Sequence, residues 1–181
     1  MATLFVDKID PQSGTSLEIG SSGDTVSLTS GVVQSNLMYP AFEVYKNTVQ
    51  TVSDAVDTKV TFDTEVFDTA NAFASDKFTV PSGQAGKYRI YSQLTHYSGT
   101  SGQISDCRTE IYKNGSSYRK VFTIFGGTQG YFISLFNSAI MDLAVGDYIE
   151  IYGQINVGSG TANIDGGSNK YSYFGGYRIG T

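Results

Sequence analysis

Lys77-Phe78-Thr79-Val80-Pro81-Ser82-Gly83-Gln84-Ala85-Gly86-Lys87-Tyr88-Arg89-Ile90-Tyr91-Ser92-Gln93-Leu94 sets two runs of alternating polarity on either side of a break rich in Pro and Gly. Pro81 removes a ladder donor, and Gly83 and Gly86 admit turn conformations, so a strand ends before the break and another begins after it. The stretch predicts a strand, a turn and a second strand, a hairpin around which the rest of the chain is organised. Period-two alternation puts Tyr88, Ile90 and Leu94 on one face of the second strand and Arg89, Tyr91 and Gln93 on the other. That is the pattern of a sheet with one face in a core.

Working outward, the composition points the same way. The chain has 181 residues with 21 Gly, 13 Tyr, 11 Phe and no Trp. Short runs rich in Tyr, Phe, Val, Ile and Thr, punctuated by Gly, predict an all-β protein long enough for one ordinary domain and an appendage. The net charge of −5 comes without a Lys/Arg cluster, which excludes a nucleic-acid binder that works through phosphate contacts. The N-terminus has no basic segment followed by a long apolar run, so neither a signal peptide nor a membrane-inserting helix is expected.

Residues 1–31 do not read as a globular domain. Leu4 to Ile9, Leu17 to Ile19 and Val26 to Leu28 are three short apolar runs between Gly, Ser, Asp and Pro, each long enough for ~3 to 6 strand residues, and such strands need partners for their edges. Leu4, Val6, Ile9, Leu17, Ile19, Val26 and Leu28 are the anchoring candidates of an extended β arm. Residues 32–39 form a connector, and Pro40 opens a head domain over 40–181.

Within the head, Pro40 to Lys46 predicts a first strand. Asp57 to Val66 alternates, with Val60, Phe62 and Val66 as inward candidates. Gln103 to Lys113 and Tyr118 to Phe125 flank Asn114-Gly115, a strong two-residue hairpin signal. In Tyr131 to Leu143 the residues Ile133, Leu135, Ala139, Met141 and Leu143 share one face. Gly146-Asp147 predicts a turn, after which Ile149, Ile151 and Ile155 face inward.

These residues carry a resemblance. Phe78-x-Val80-Pro81 with Gly86-x-Tyr88, Lys113-Asn114-Gly115, Leu143 with Gly146-Asp147 and the following strand, and Tyr173-Phe174-Gly175-Gly176-Tyr177 stand in the order seen in the complement C-one-q globular head. That head is one of the tumour-necrosis-factor-like jelly rolls. The resemblance implies a jelly-roll β-sandwich that packs as a homotrimer through aromatic-rich strands, and the surplus of Tyr and Phe fits a second buried surface. The phrase Leu17 to Leu28 resembles the short β repeats at the start of bacteriophage fibre and other virion structural proteins.

Catalytic chemistry is poorly represented. His96, the single histidine, lies on the inward parity of the Tyr88 strand and reads as a sheet histidine, and without a second His or Cys the usual zinc sites cannot be built. Cys107, the single cysteine, shares a face with Thr109 and Ile111 and reads as a buried inert thiol. The segments 126–130 and 158–160 lack the Lys-Ser/Thr ending of a phosphate loop, and no nucleophile elbow is present. No enzyme is expected and no organic cofactor is implied. Asp54, Asp57, Asp63, Asp68, Asn163, Asp165 and Asn169 carry oxygen ligands of the kind calcium takes, and relatives of the resembled family bind calcium near the top of the trimer. Turn chemistry explains the same residues. Asn114-Gly115-Ser116 is formally a glycosylation acceptor.

The reading is a non-enzymatic virion structural protein of a bacteriophage, made in the host cytoplasm and displayed as a homotrimer on the virion surface, as a tail fibre or spike in host attachment or as a capsid decoration protein. Its arm binds other virion proteins. Its loops, through Ser98, Thr100, Ser101, Thr128, Gln129, Asn163, Asp165 and Asn169, face a host-surface glycan or protein. The alternative is a soluble trimeric lectin-like module.

Overall fold

The computed structural model describes residues 39–126 and 130–180, together with Ile9, Pro11, Ser13, Gly14, Leu17, Ile19, Gly20 and residues 22–25. The chain divides into two compact units, Met1–Ser35 and Asn36–Thr181. In the first, Ile9, Leu17 and Ile19 are exposed, while Leu4, Val6, Val26 and Leu28 lie outside the described residues.

Among the described residues the second unit is built of strands alone: β1 (Ala41–Tyr45), β2 (Gln50–Thr51), β3 (Thr58–Lys59), β4 (Thr64–Asp68), β5 (Phe73–Ala74), β6 (Lys77–Thr79), β7 (Gly86–Ser98), β8 (Ile104–Lys113), β9 (Ser116–Ile124), β10 (Phe132–Leu143), β11 (Tyr148–Val157), β12 (Ala162–Ile164) and β13 (Tyr173–Gly180). They form two antiparallel sheets. In the front sheet β7 pairs with β10 on one side and with β13 and β12 on the other; β13 continues to β1 and β4, and β12 to β2. The back sheet runs β5-β6-β11-β8-β9, with β3 also on β11. This is a jelly-roll sandwich.

The core lies where the inward residues of both sheets meet. Phe42 of β1 stacks on Phe78 of β6, with ring centroids 4.5 Å apart, and meets Phe174 of β13 edge-on at 4.9 Å. Tyr88, Ile90 and Leu94 are buried against Ile111, Ile149, Ile151 and Ile155, on the parity their sequence predicts. Ala139, Met141 and Leu143 are buried too, with Ile133 and Leu135 packed alongside. Asn114 and Gly115 both take positive φ, 52° and 76°, and turn β8 into β9.

Two expectations are corrected. The organising stretch is not a hairpin, because β6 and β7 belong to different sheets. The Val80 N–H donates to the Asp147 carbonyl at 2.9 Å and the Gly146 N–H to the Val80 carbonyl at 3.0 Å, which ties the end of β6 to the back sheet. Strand β6 has three residues, whereas β10 gives β7 a twelve-residue partner; residues 81–85 therefore cross from one sheet to the other. Val66 is 41% exposed, because the alternating run breaks into β3 and β4 and only Val60 and Phe62 reach the core.

Candidate assembly face and loop end

The two outer faces of the sandwich differ in chemistry. On the back sheet charges are matched: Lys59 Nζ lies 2.7 Å from Glu150, Arg108 Nε 2.8 Å from Asp57, Lys120 Nζ 3.0 Å from Glu110 and Lys113 Nζ 2.8 Å from Asp147. Hydrogen bonds from Lys113 and Asn114 hold the Asp147 carboxyl down at about 2. A paired, charged surface of this kind is at ease in water.

That face also carries the stacked Tyr112 and Tyr152, with ring centroids 4.0 Å apart, but the front sheet presents more rings and fewer paired charges. Register places Phe67, Glu43, Gly175, Tyr91 and Ser138 in one row across five strands. Thr64, Tyr45, Tyr173, Gln93 and Phe136 form the next row. Tyr177, Arg89 and Ile140 form a third, and Phe132 with Tyr97 continues the face toward the start of β10. Phe136 is 48% and Ile140 60% exposed.

Gly175 organises this face. The Tyr91 ring crosses over it, and the hydroxyl donates to Glu43 Oε2 at 2.9 Å, one strand beyond. Burial and then this bond to a carboxylate push the Tyr91 phenol well up. A Cβ at Gly175 would stand 2.5 Å from Tyr91 ring atoms. Gly175→Ala is therefore expected to displace Tyr91, break the Glu43 bond and destabilise the head by about 1–3 kcal/mol, the usual range for overpacking. Urea unfolding of the two proteins measures it, and equal midpoints would refute the role given to Gly175.

Beside this face the sandwich is open along the free edges of β10 and β9. Phe122 and Ile124 of β9 are 62% and 70% exposed. Asn137 of β10, itself buried, reaches across to donate to the carbonyls of Thr109 at 3.1 Å and Arg119 at 3.0 Å. A cleft of about 290 Å³ on this seam is lined by Arg89, Arg119, Ser138, Ala139 and Ile140. Long unpaired edges with apolar residues beside them are association sites unless they are covered.

The residues expected to face a ligand divide. The loops after β7, β9 and β11 gather at one end of the sandwich, where Gly99 N–H donates to the Thr161 carbonyl, Gly158 N–H to Gln103 and Ser98 N–H to Tyr131. Thr100 and Ser101 are exposed there, and Asn169 is exposed in the loop between β12 and β13. Ser98, Asn163 and Asp165 are not ligand-facing: all three are buried. Ser98 is bonded to Thr100, Asn163 accepts from Thr51 Oγ1 at 2.9 Å and donates to Thr161, and Asp165 sits under its own loop, where burial raises its carboxyl. Short loops drawn together at one end use their polar side chains on one another. Thr128 and Gln129 lie outside the described residues.

Four candidate cation ligands are committed to other bonds. Asp54 accepts from Val157 N–H at 2.7 Å and Asp63 from Asn47 N–H at 2.6 Å; Asp68 accepts from Phe73 N–H at 2.7 Å, and Asp57 pairs with Arg108. Among the described residues no three His, Cys, Asp or Glu side chains gather as a metal site. His96 lies between the sheets, its Nε2 donating to the Arg108 carbonyl at 3.0 Å, and burial lowers it to about 4. Burial, with Asp106 adding to it, raises the Cys107 thiol to about 12, so it stays protonated and inert. Glu43 and Arg119 were not singled out by sequence. Glu43 is an acid between Ala41 and Tyr45 on the outward parity of β1, a signal that was legible; Arg119 follows a bulge in the β8–β9 register that shifts its side, which was not.

No protein-family profile matches this chain, and no curated protein matches it. Solved structures do. The globular domain of zebrafish complement 1qA protein aligns at 18% identity and a TM-score of 0.53, over 77% of this chain and 97% of that one. Eiger TNF from S. frugiperda aligns at 14% and 0.56, over 78% and 92%, and murine APRIL at 15% and 0.54, over 77% and 98%. The head has the complement and tumour-necrosis-factor-like jelly-roll fold.

Proposed function

We propose that the chain is a non-enzymatic structural protein of a bacteriophage particle, a homotrimer displayed at the virion surface and anchored by residues 1–31. The observation that carries the trimer is the front face, with rings on all of its main strands and little charge pairing, flanked by the edges of β10 and β9. Aromatic residues are enriched, and charged ones depleted, at the centres of protein interfaces, and an edge-and-face pair on one chain suits head-to-tail closure into a ring. The fold supports the same assembly, since jelly rolls of this kind pack as trimers. The virion placement rests on the resemblance of Leu17 to Leu28 to fibre and virion repeats, and on a sequence over 1–31 whose apolar runs are each long enough for only ~3 to 6 strand residues.

Sedimentation equilibrium of the full chain is expected to give three times the 19.5 kDa chain mass, and a monomer at micromolar concentration would sink the trimer. Electron microscopy of native particles, labelled with an antibody against residues 40–181, tests the placement. Label in a lattice over the capsid makes it a decoration protein; label at the tail makes it a fibre or spike. Deleting residues 1–31 is expected to abolish incorporation. An unlabelled particle would favour the second reading, a soluble trimeric lectin-like module, which the exposed loop residues Thr100 and Ser101 support.

A further inference from the structure

Among the described residues, the front face and its seam hold charges with no ion-pair partner. Lys87 is paired with Asp142 at 3.5 Å. Arg89 and Arg119 converge on the seam cleft, whose lining of Ser138, Ala139 and Ile140 contains no carboxylate, and among the described residues neither guanidinium has an ion pair. Glu43 stands among the aromatic rings with the Tyr91 hydroxyl as its bond partner and, among the described residues, no ion pair. Covering such a face with a second copy strips water from all three groups, and a buried charge without a counter-charge opposes association. They must meet someone.

They do not meet within the chain. Glu43 lies on β1 and Arg89 on β7, with β13 and the ring of Tyr91 between them. Their placement suits a neighbour. In the order β4-β1-β13-β7-β10, Glu43 is one strand from one edge of the front sheet, and the cleft is at the opposite edge. A head-to-tail ring uses two different patches at every interface, so an acid near one edge and a basic cleft at the other suit it, whereas a two-fold dimer would have to make both contacts reciprocally about one axis. Arg is also the cation suited to forked, desolvated carboxylate recognition.

We propose, resting on the homotrimer reading, that Glu43 of each copy enters the seam cleft of the next and is clamped by its Arg89 and Arg119. The pairing fixes both the register and the direction of the ring. It also explains why Tyr91 lies across Gly175: its hydroxyl holds the Glu43 carboxylate in place before the neighbour arrives, which lowers the ordering cost of association.

The test uses the full chain and sedimentation velocity across a dilution series. Arg89→Glu with Arg119→Glu is expected to weaken trimerisation on the order of 100-fold or more, as reversal of a close interfacial charge pair does. Glu43→Arg alone should do the same, and the chain carrying all three changes should recover trimer. A wild-type trimer that is unmoved by the double reversal overturns the pairing and leaves the trimer reading intact; a wild-type monomer overturns both. An arginine at position 43 cannot accept the Tyr91 hydroxyl, so a neutral pair of variants gives an independent answer. Added NaCl should loosen the wild-type trimer more steeply than Arg89→Gln with Arg119→Gln, and equal salt slopes overturn the proposal. If added phosphate tightens the wild type as strongly as it tightens Glu43→Gln, the cleft holds a free anion in place of a neighbour's carboxylate, which also overturns it.

Discussion

Phe42→Ala is expected to cost the head about 3–5 kcal/mol, the range for removing a fully buried aromatic side chain. Phe42 is 1% exposed. It stacks on Phe78 at 4.5 Å, meets Phe174 edge-on at 4.9 Å and lies 5.9 Å from Phe73. Phe78 and Phe73 belong to the back sheet and Phe174 to the front, so one ring joins the two layers. Removing it leaves a cavity between sheets whose backbones are each held by their own ladders and cannot easily collapse into it. Urea unfolding followed by circular dichroism measures the loss, and a change below 1 kcal/mol would show that the layers repack. Phe136→Ala is the control: its side chain is half exposed, so it should barely move the stability of one copy while weakening the assembly.

Much of this core was legible in the sequence because alternation is local. The parity of Tyr88, Ile90 and Leu94, of Ala139, Met141 and Leu143, and of Ile149, Ile151 and Ile155 follows from the two-residue period of a strand, and all nine are buried. The sheet to which each strand belongs is not local. Phe78 and Tyr88 stand ten positions apart, on strands in different sheets, yet their rings are 5.7 Å from each other; a hairpin and a sandwich corner place both inward and cannot be told apart by period. The loop end shows the same limit. Ser98 and Asn163 look like surface polar residues in sequence, and only the meeting of Gly99 with Thr161 across the fold reveals that they are buried. The aromatic front face falls between these cases. Arg89, Tyr91 and Gln93 take the outward parity in sequence and in structure, but the reach of Tyr91 to Glu43 depends on β13 lying between β7 and β1 with a glycine at the crossing.

Stability is expected to fall by about 3 kcal/mol between pH 6.5 and pH 4, with His96 as the cause. The ring is 0% exposed, and burial lowers its pKa to about 4, against the ordinary 6.5. The Arg108 carbonyl can only accept, so Nε2 carries the proton of the neutral ring, and burial outweighs the backbone groups of Arg108, Ile133 and Leu94, which favour the charged form. The sign follows from proton binding. Below pH 6.5 the unfolded chain takes up a proton that the folded chain refuses, so the stabilisation is complete above 6.5. It is lost at about 1.4 kcal/mol per pH unit as the pH falls, and levels off below 4. Other groups act elsewhere or oppositely: Asp147, held at about 2, and Asp63, lowered, lose their contributions only in stronger acid, whereas Asp165, raised by burial, favours the folded state as it protonates. The chain has one histidine, so a His96 variant separates its contribution from the opposing one of Asp165. Urea unfolding at a fixed protein concentration across this range should give the slope, and His96→Gln should flatten it at the expense of a constant loss in stability. The imidazole proton resonances of the native protein should stay unshifted down to about pH 4, and a midpoint near 6.5 would show that water reaches the ring.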